Sequence, residues 1–207
     1  MSRPVATKER IERAALRLFV EQGIAETSIK KIAKAAGVSQ GAMYNHYVSK
    51  EELAWVLFSR NFSEIGQELR QCARERDGLE ARLRAMIRLL FRRFDEDWLA
   101  VTYAVFVRHQ HIRRVDRRQG NPYLVFRTVI AEAIKSGEIP RQDAELSTAL
   151  VTGAIIQVMD TRILGRIGTD LQRLADEVGR RCVRLLGSAT HVTRRSSPRE
   201  MSGSIIA

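Results

Sequence analysis

In the run Gln40-Gly41-Ala42-Met43-Tyr44-Asn45-His46-Tyr47, two side-chain amides stand among small and aromatic residues. Gln40 and Asn45 each carry a donor beside an acceptor, the pair that matches the major-groove edge of adenine. Gly41 and Ala42 let the backbone approach a base pair, and the Ala42 methyl suits contact with a thymine methyl. Thr27, Tyr44, His46, Tyr47 and Lys50 can donate to phosphate oxygens, contacts that set register and carry no sequence information. The chemistry on offer is recognition of double-stranded DNA, with no bond making.

Those side chains need two short helices to present them. Ile29, Ile32, Ala33 and Ala36 recur three and four apart, which gives a short helix with one apolar face. Gly37 is its stop, because glycine takes a left-handed conformation without a Cβ clash. Ser39 is placed to cap a second helix, in which Met43 and Tyr47 face inward and Gln40, Gly41, Ala42, Tyr44 and Asn45 are left largely outward. Two short helices around a glycine turn make a helix-turn-helix, with residues 39–47 as the recognition segment. An ordinary helical hairpin would carry Ala, Glu, Lys and Leu on its outer face in place of this run.

The stretch resembles the DNA-binding region of the TetR family of bacterial regulators. The resemblance rests on Thr27, Ser28, Ile32, Ala33, Ala36, Gly37, Val38, Ser39, Gly41, Tyr44, His46, Tyr47, Ser49, Lys50 and Leu53, without a gap. Lys31 departs from it, since the family often has an acid there, and adds a positive charge near the DNA side. Ser28, Lys30 and Ser39 complete the candidate DNA-binding set.

The rest of the chain is helical in pattern. Residues 1–6 are expected to form a loose basic arm, from which Arg3 or Lys8 could touch phosphate. Thr7 is expected to cap a first helix lined by Ile11, Ala14, Ala15, Leu18 and Phe19 and ended by Gly23. Ser49-Lys50-Glu51-Glu52 is a capping box that opens a fourth helix reaching about Arg76. At 25 residues it would be ~37 Å long and would link Lys50 to the interior. Asp77-Gly78 breaks it, and further helices follow, with residues 108–120 a polar, basic helix end and loop. Asn121-Pro122 marks another helix start, and Asp143 caps an eighth helix. Between Glu145 and Asp160 no charged residue occurs. A helix neutral on every side is buried on every side, so one face is expected on the core and another on a second subunit, with Ala149, Gly153 and Ala154 permitting close approach. A ninth helix carries Leu171, Leu174, Val178, Cys182 and Leu185. Residues 188–207 show no helical period and are expected to be a disordered tail.

Composition agrees. The 207 residues carry 35 Lys and Arg against 24 Asp and Glu, a net charge of +11. That favours a polyanionic partner, although RNA or an acidic membrane surface would be attracted as well. Cys72 and Cys182 form no C-x-x-C, so neither a disulfide framework nor a zinc site is expected. His109 and His111, two apart, lack the i, i+4 spacing of helical zinc ligands. No nucleophile elbow or phosphate loop occurs, so no enzyme, metal or cofactor is expected. No h-region or membrane-length apolar run is present, and the expected location is cytoplasmic.

The expectation is an all-α protein of about nine helices. A three-helix DNA-binding domain (1–48) precedes a ligand-binding and dimerisation domain (49–187). The resemblance implies that the last two helices of two subunits pair, giving a homodimer whose contacts include Ala149, Gly153, Ile156, Leu174, Val178 and Cys182. It also implies a small-molecule effector held between the central helices by a subset of Phe62, Met86, Phe91, Trp98, Tyr103, Phe106 and Phe126, with Gln157 or Asp160 as the polar contact. The implied function is a repressor bound to a pseudo-palindromic operator with half-sites one turn, ~34 Å, apart or at a related spacing, released by its ligand. An activator or ligand-independent regulator of the same fold, or a non-specific nucleic-acid-binding structural protein, is the alternative.

Overall fold

The computed structural model of the protein describes residues 3–106 and 120–187. The side chains of residues 3–5 and of Phe106 lie outside the described set, as do His109, His111, most of the basic 108–120 stretch and the 188–207 tail. The described residues form nine α-helices and no strand: α1 (Arg3–Gln22), α2 (Ile29–Ala36), α3 (Gln40–Tyr44), α4 (Lys50–Arg74), α5 (Leu79–Glu96), α6 (Trp98–Phe106), α7 (Pro122–Ser136), α8 (Ala144–Ile163) and α9 (Ala175–Leu185). A 3₁₀ turn, Leu171–Leu174, leads into α9. Among these residues no helix is long and apolar enough to cross a membrane.

The helix boundaries follow local chemistry. Ser28, Ser39, Ser49, Asn121 and Asp143 each accept a backbone N–H at the start of α2, α3, α4, α7 and α8, satisfying donors that have no partner within the helix. At the head of α4 the Glu52 carboxylate also takes the Val48 N–H at 2.5 Å. The expected arm ending at a Thr7 cap is overturned, because α1 already begins at Arg3. Pro4 does not oppose this, since a missing N–H costs nothing in the first turn.

α1 packs on α2, α4 and α6, and α4 on α5, α6 and α7. α7 packs on α8, and α9 lies along α5. At Gly179 an added Cβ would stand 2.6 Å from Arg84 Cγ, so the bare backbone of α9 is what admits the Arg84 stem. Cys182 is buried in that contact. One contiguous apolar cluster runs from Ile11 and Phe19 through Leu57 and Tyr103 to Ile155 and Leu186. It passes across the 48/49 position without interruption.

α8 is not buried on every side within one chain. Ser147, Thr148, Val151, Ile155 and Met159 face the core. Leu146 and Leu150 are 61% and 49% exposed on the other side, beside exposed Ala149 and Gly153.

Candidate nucleic-acid interface and effector cavity

The corner between α2 and α3 is held from three directions. Gly37 takes φ 64°, ψ 41°, and Val38 N–H reaches back to the Ala33 carbonyl at 3.0 Å. From α1, Arg10 donates through Nε and Nη2 to the Ala36 carbonyl (3.0 and 2.5 Å) and through Nη2 to the Gly37 carbonyl (2.7 Å). These are the carbonyls a helix end leaves unpaired, and a cation is favoured beside them.

Behind α3 a second network fixes the depth of the recognition segment. Met43 and Tyr47 are buried. The Tyr47 hydroxyl donates to Glu12 Oε1 at 2.5 Å, and Arg60 on α4 donates to Glu12 Oε2 at 2.7 Å. Glu12 therefore joins α1, the turn after α3, and α4. Burial pushes its carboxyl upward, but the bonds from Arg60 and Tyr47 outweigh burial and hold it below the ordinary 4.5. Burial and the Glu12 contact raise the Tyr47 hydroxyl well above its ordinary range.

Gln40, Gly41 and Asn45 are exposed, Ala42 and His46 are half-buried at the surface, and Tyr44 is 56% exposed. The helix ends at Tyr44 and Asn45 is its cap, so the recognition helix is shorter than the expected 39–47. Lys30 is exposed on α2. The Ser28 and Ser39 oxygens accept the Lys31 and Ala42 N–H groups at 3.2 and 3.1 Å.

Three expected phosphate donors are turned elsewhere. Tyr47 spends its hydroxyl on Glu12. Thr27 is buried and its hydroxyl donates to the Gly23 carbonyl at 2.7 Å, tying off the end of α1. Lys50 Nζ donates to the Ile24 and Ala25 carbonyls at 2.8 and 3.3 Å. Lys31 is likewise turned away from the outer face, bonding Gln22 and the Glu26 carbonyl. For Thr27, Lys50 and Lys31 the acceptors are backbone carbonyls of residues 23–26, between α1 and α2, whereas for Tyr47 the acceptor is a carboxylate. Arg10, Glu12 and Arg60 were not foreseen as part of this region.

A cavity of about 320 Å³ lies between α4, α5, α6, α7 and α8. Phe62, Leu90, Phe126, Ile155 and Met159 supply much of its apolar wall, and Asn121, Tyr123 and Thr152 are polar members of the lining. Of the expected ligand contacts, Phe62 and Phe126 border it. Met86, Phe91 and Tyr103 are fully buried core instead. Trp98, 40% exposed, stands at a separate notch beside Phe94 and Arg162. Gln157 is exposed and its amide donates to Asp160 at 3.4 Å, outside the cavity. Ile156, expected at a subunit contact, lines the cavity. Cys182 is also misplaced by that expectation, being buried against α5, where burial pushes its thiol up to about 11. Leu174 and Val178 are half-buried.

The cavity is adjacent to the helices that hold the α2–α3 corner. Ala104 and Val105 of α6 border it. The preceding residue, Tyr103, stacks on Phe19 of α1 with ring centroids 5.7 Å apart and donates to the Ala54 carbonyl of α4 at 3.0 Å. Near the middle of α4, an added Cβ on Gly66 would stand 1.7 Å from the Gly120 carbonyl oxygen. The backbone entering α7, whose first residues border the cavity, thus rests directly on α4.

A family model described as bacterial regulatory proteins, tetR family, matches residues 11–54. The HTH-type transcriptional regulator AcrR of Shigella flexneri is 45% identical over 65 residues, which cover 30% of this chain and 30% of that protein. The fatty acid metabolism regulator protein of Bacillus subtilis (strain 168) is 25% identical over 185 residues, 86% of this chain and 92% of that protein. The solved structure of the regulator FadR from Bacillus subtilis in complex with stearoyl-CoA superposes with a TM-score of 0.65 at 22% identity, covering 87% of this chain and 98% of that one. These relatives are transcriptional regulators, not enzymes.

Proposed function

We propose that the chain is a member of the tetR family of bacterial regulatory proteins, whose family model matches residues 11–54, and that it is a sequence-specific transcriptional repressor released from its operator by a small apolar molecule. The observation that carries the reading is the outward set Gln40, Gly41, Ala42, Tyr44 and Asn45 on a helix clamped by Arg10 and the Glu12 network, in a chain that also holds an apolar cavity. Gln40 and Asn45 read adenine edges. Tyr44, His46 and Lys30, with the exposed Lys34 of α2, contact phosphates. Residues 1–48 act as the DNA-binding domain and residues 49–187 as the ligand-binding and dimerisation domain, in the cytoplasm.

Two copies pair through the outer face of α8, with Ala149, Gly153, Leu146 and Leu150 at its centre and Leu174 and Val178 at its margin. A stable pair needs roughly 800 Å² from each partner, and a neutral helix face with two exposed leucines supports that reading. The two-fold pair sets two recognition helices into successive major grooves of a pseudo-palindrome, ~34 Å apart.

The effector occupies the cavity beside Phe62 and Phe126. The similar regulator solved with stearoyl-CoA supports a ligand that brings an apolar chain. Occupancy moves α6 and the start of α7, and α1 and α4 follow through Tyr103, Phe19, Ala54 and Gly66. Emptying the operator takes a difference in ligand affinity between the two states of order ~3 to 5 kcal/mol. Selection of bound fragments from random DNA by the purified protein tests the proposal. A palindromic consensus with conserved adenines is expected, whereas fragments without a consensus would leave only charge-driven binding.

A further inference from the structure

Resting on the proposal that the cavity holds the effector, we infer that this effector is an uncharged molecule carrying a carbonyl-type acceptor (ester, thioester, lactone or ketone), bound by the side-chain amide of Asn121. Asn121 is both the N-cap of α7 and a member of the cavity lining. Its Oδ1 accepts the Tyr123 N–H at 3.0 Å. An amide whose oxygen is committed to a cap has its nitrogen, with two N–H groups, left to donate.

The other described polar side chains bordering the cavity have spent their hydrogens. Thr152 Oγ1 donates to the Thr148 carbonyl at 2.8 Å. The Tyr123 hydroxyl donates to Glu145 Oε2 at 2.9 Å. Asn121 Nδ2 has no hydrogen-bond partner among the described residues. Around it the wall is largely aliphatic and aromatic, and no described charged side chain borders the space. A carboxylate entering here would lose its hydration and would gain no counterion from the described lining. A carbonyl oxygen would meet a donor whose own position is fixed by the helix cap. The cavity, about 320 Å³, is at the small end of ligand sites, roughly 300 to 1,000 Å³.

The test compares methyl octanoate with undecane, an alkane of similar length, by displacement of Nile red from the full-length protein. Both are measured on the wild type, on Asn121→Asp and on Asn121→Ser. Asp and Ser keep an oxygen cap on α7 and remove the amide donor, and Ser does so without adding charge. The expected result is at least a tenfold loss of methyl octanoate affinity in both variants, with undecane affinity unchanged within twofold. If both probes bind all three proteins alike, or weaken together, the amide has no ligand role and the inference falls while the cavity reading stands. If octanoate binds the wild type more tightly than its methyl ester, the effector is an anion and the inference also falls. If neither apolar probe binds the wild type, the cavity reading fails and takes the inference with it.

Discussion

Arg10 on α1 donates to the Gly37 carbonyl at 2.7 Å, so the first helix holds the turn between α2 and α3. The same guanidinium takes the Ala36 carbonyl, and a Cβ added at Gly37 would stand 2.9 Å from its Nη2. Arg10→Ala should lose about 1 to 2 kcal/mol of stability, since hydrogen bonds from charged groups go missing. DNA affinity should drop about tenfold. The dependence of affinity on salt should keep its slope, because each phosphate contact contributes about 0.9 to that slope and Arg10 makes none. A shallower slope in a salt titration would mean Arg10 reaches DNA directly.

Much of this region was legible in the chain, and the exceptions share a cause. Ser28, Ser39, Ser49, Asn121 and Asp143 cap helices through local chemistry that a sequence carries openly. Lys50, Thr27 and Tyr47 are polar groups near the expected DNA face, yet their partners are carbonyls or a carboxylate 4 to 35 residues away, set by how α1 crosses the corner. One signal was available: Glu12 falls on the same stripe as Leu16 and Phe19, all three buried. An acid on an apolar stripe needs a partner, and Tyr47 and Arg60 are that partner. The cavity was legible only as a surplus of aromatic residues. Which rings border the space depends on helix rotation, and Met86, Phe91 and Tyr103 are rotated into solid core.

Lys50 and Tyr44 separate structural from phosphate contacts. Lys50→Met keeps the stem and removes the bonds to Ile24 and Ala25. It should lower the melting temperature by a few degrees, while the salt slope of DNA binding changes little. Tyr44→Ala should leave stability within about 0.5 kcal/mol, as an exposed site, and weaken binding to all sequences. Gln40→Ala and Asn45→Ala should relax base preference by roughly 1 to 3 kcal/mol per position. Thermal melts report the stability changes, salt titrations the slope, and competition between operator and scrambled DNA the binding of the Tyr44, Gln40 and Asn45 variants. Unchanged discrimination in the two amide variants would remove them from base readout.

The Glu12 carboxyl predicts an acid limb of known sign. Its folded pKa is depressed below the ordinary 4.5. Between those two values the unfolded chain binds the extra proton, so stability rises with pH across that window. The contribution is complete above about pH 4.5 and is lost as pH falls through the folded value. Glu12→Gln should remove this limb, and urea midpoints from pH 3 to 7 should flatten relative to wild type. An equally steep acid limb in the variant would assign the effect to other carboxylates.

Leu150 tests the pairing face. Leu146 and Leu150 are exposed on α8 next to Ala149 and Gly153, and a Cβ added at Gly153 would meet nothing within 4 Å. Leu150→Glu should therefore change the stability of one folded subunit by little more than a surface substitution does, about 0.5 kcal/mol. In a two-fold pair each such carboxylate appears twice across the same axis, buried without a cation, which costs several kcal/mol per ion. The variant should sediment as a folded monomer with native helical content. Its affinity for a palindromic operator should decline by at least a hundredfold, while its affinity for a half-site should stay near that of one wild-type recognition helix. A variant that remains dimeric at micromolar concentration would move the interface off this face of α8.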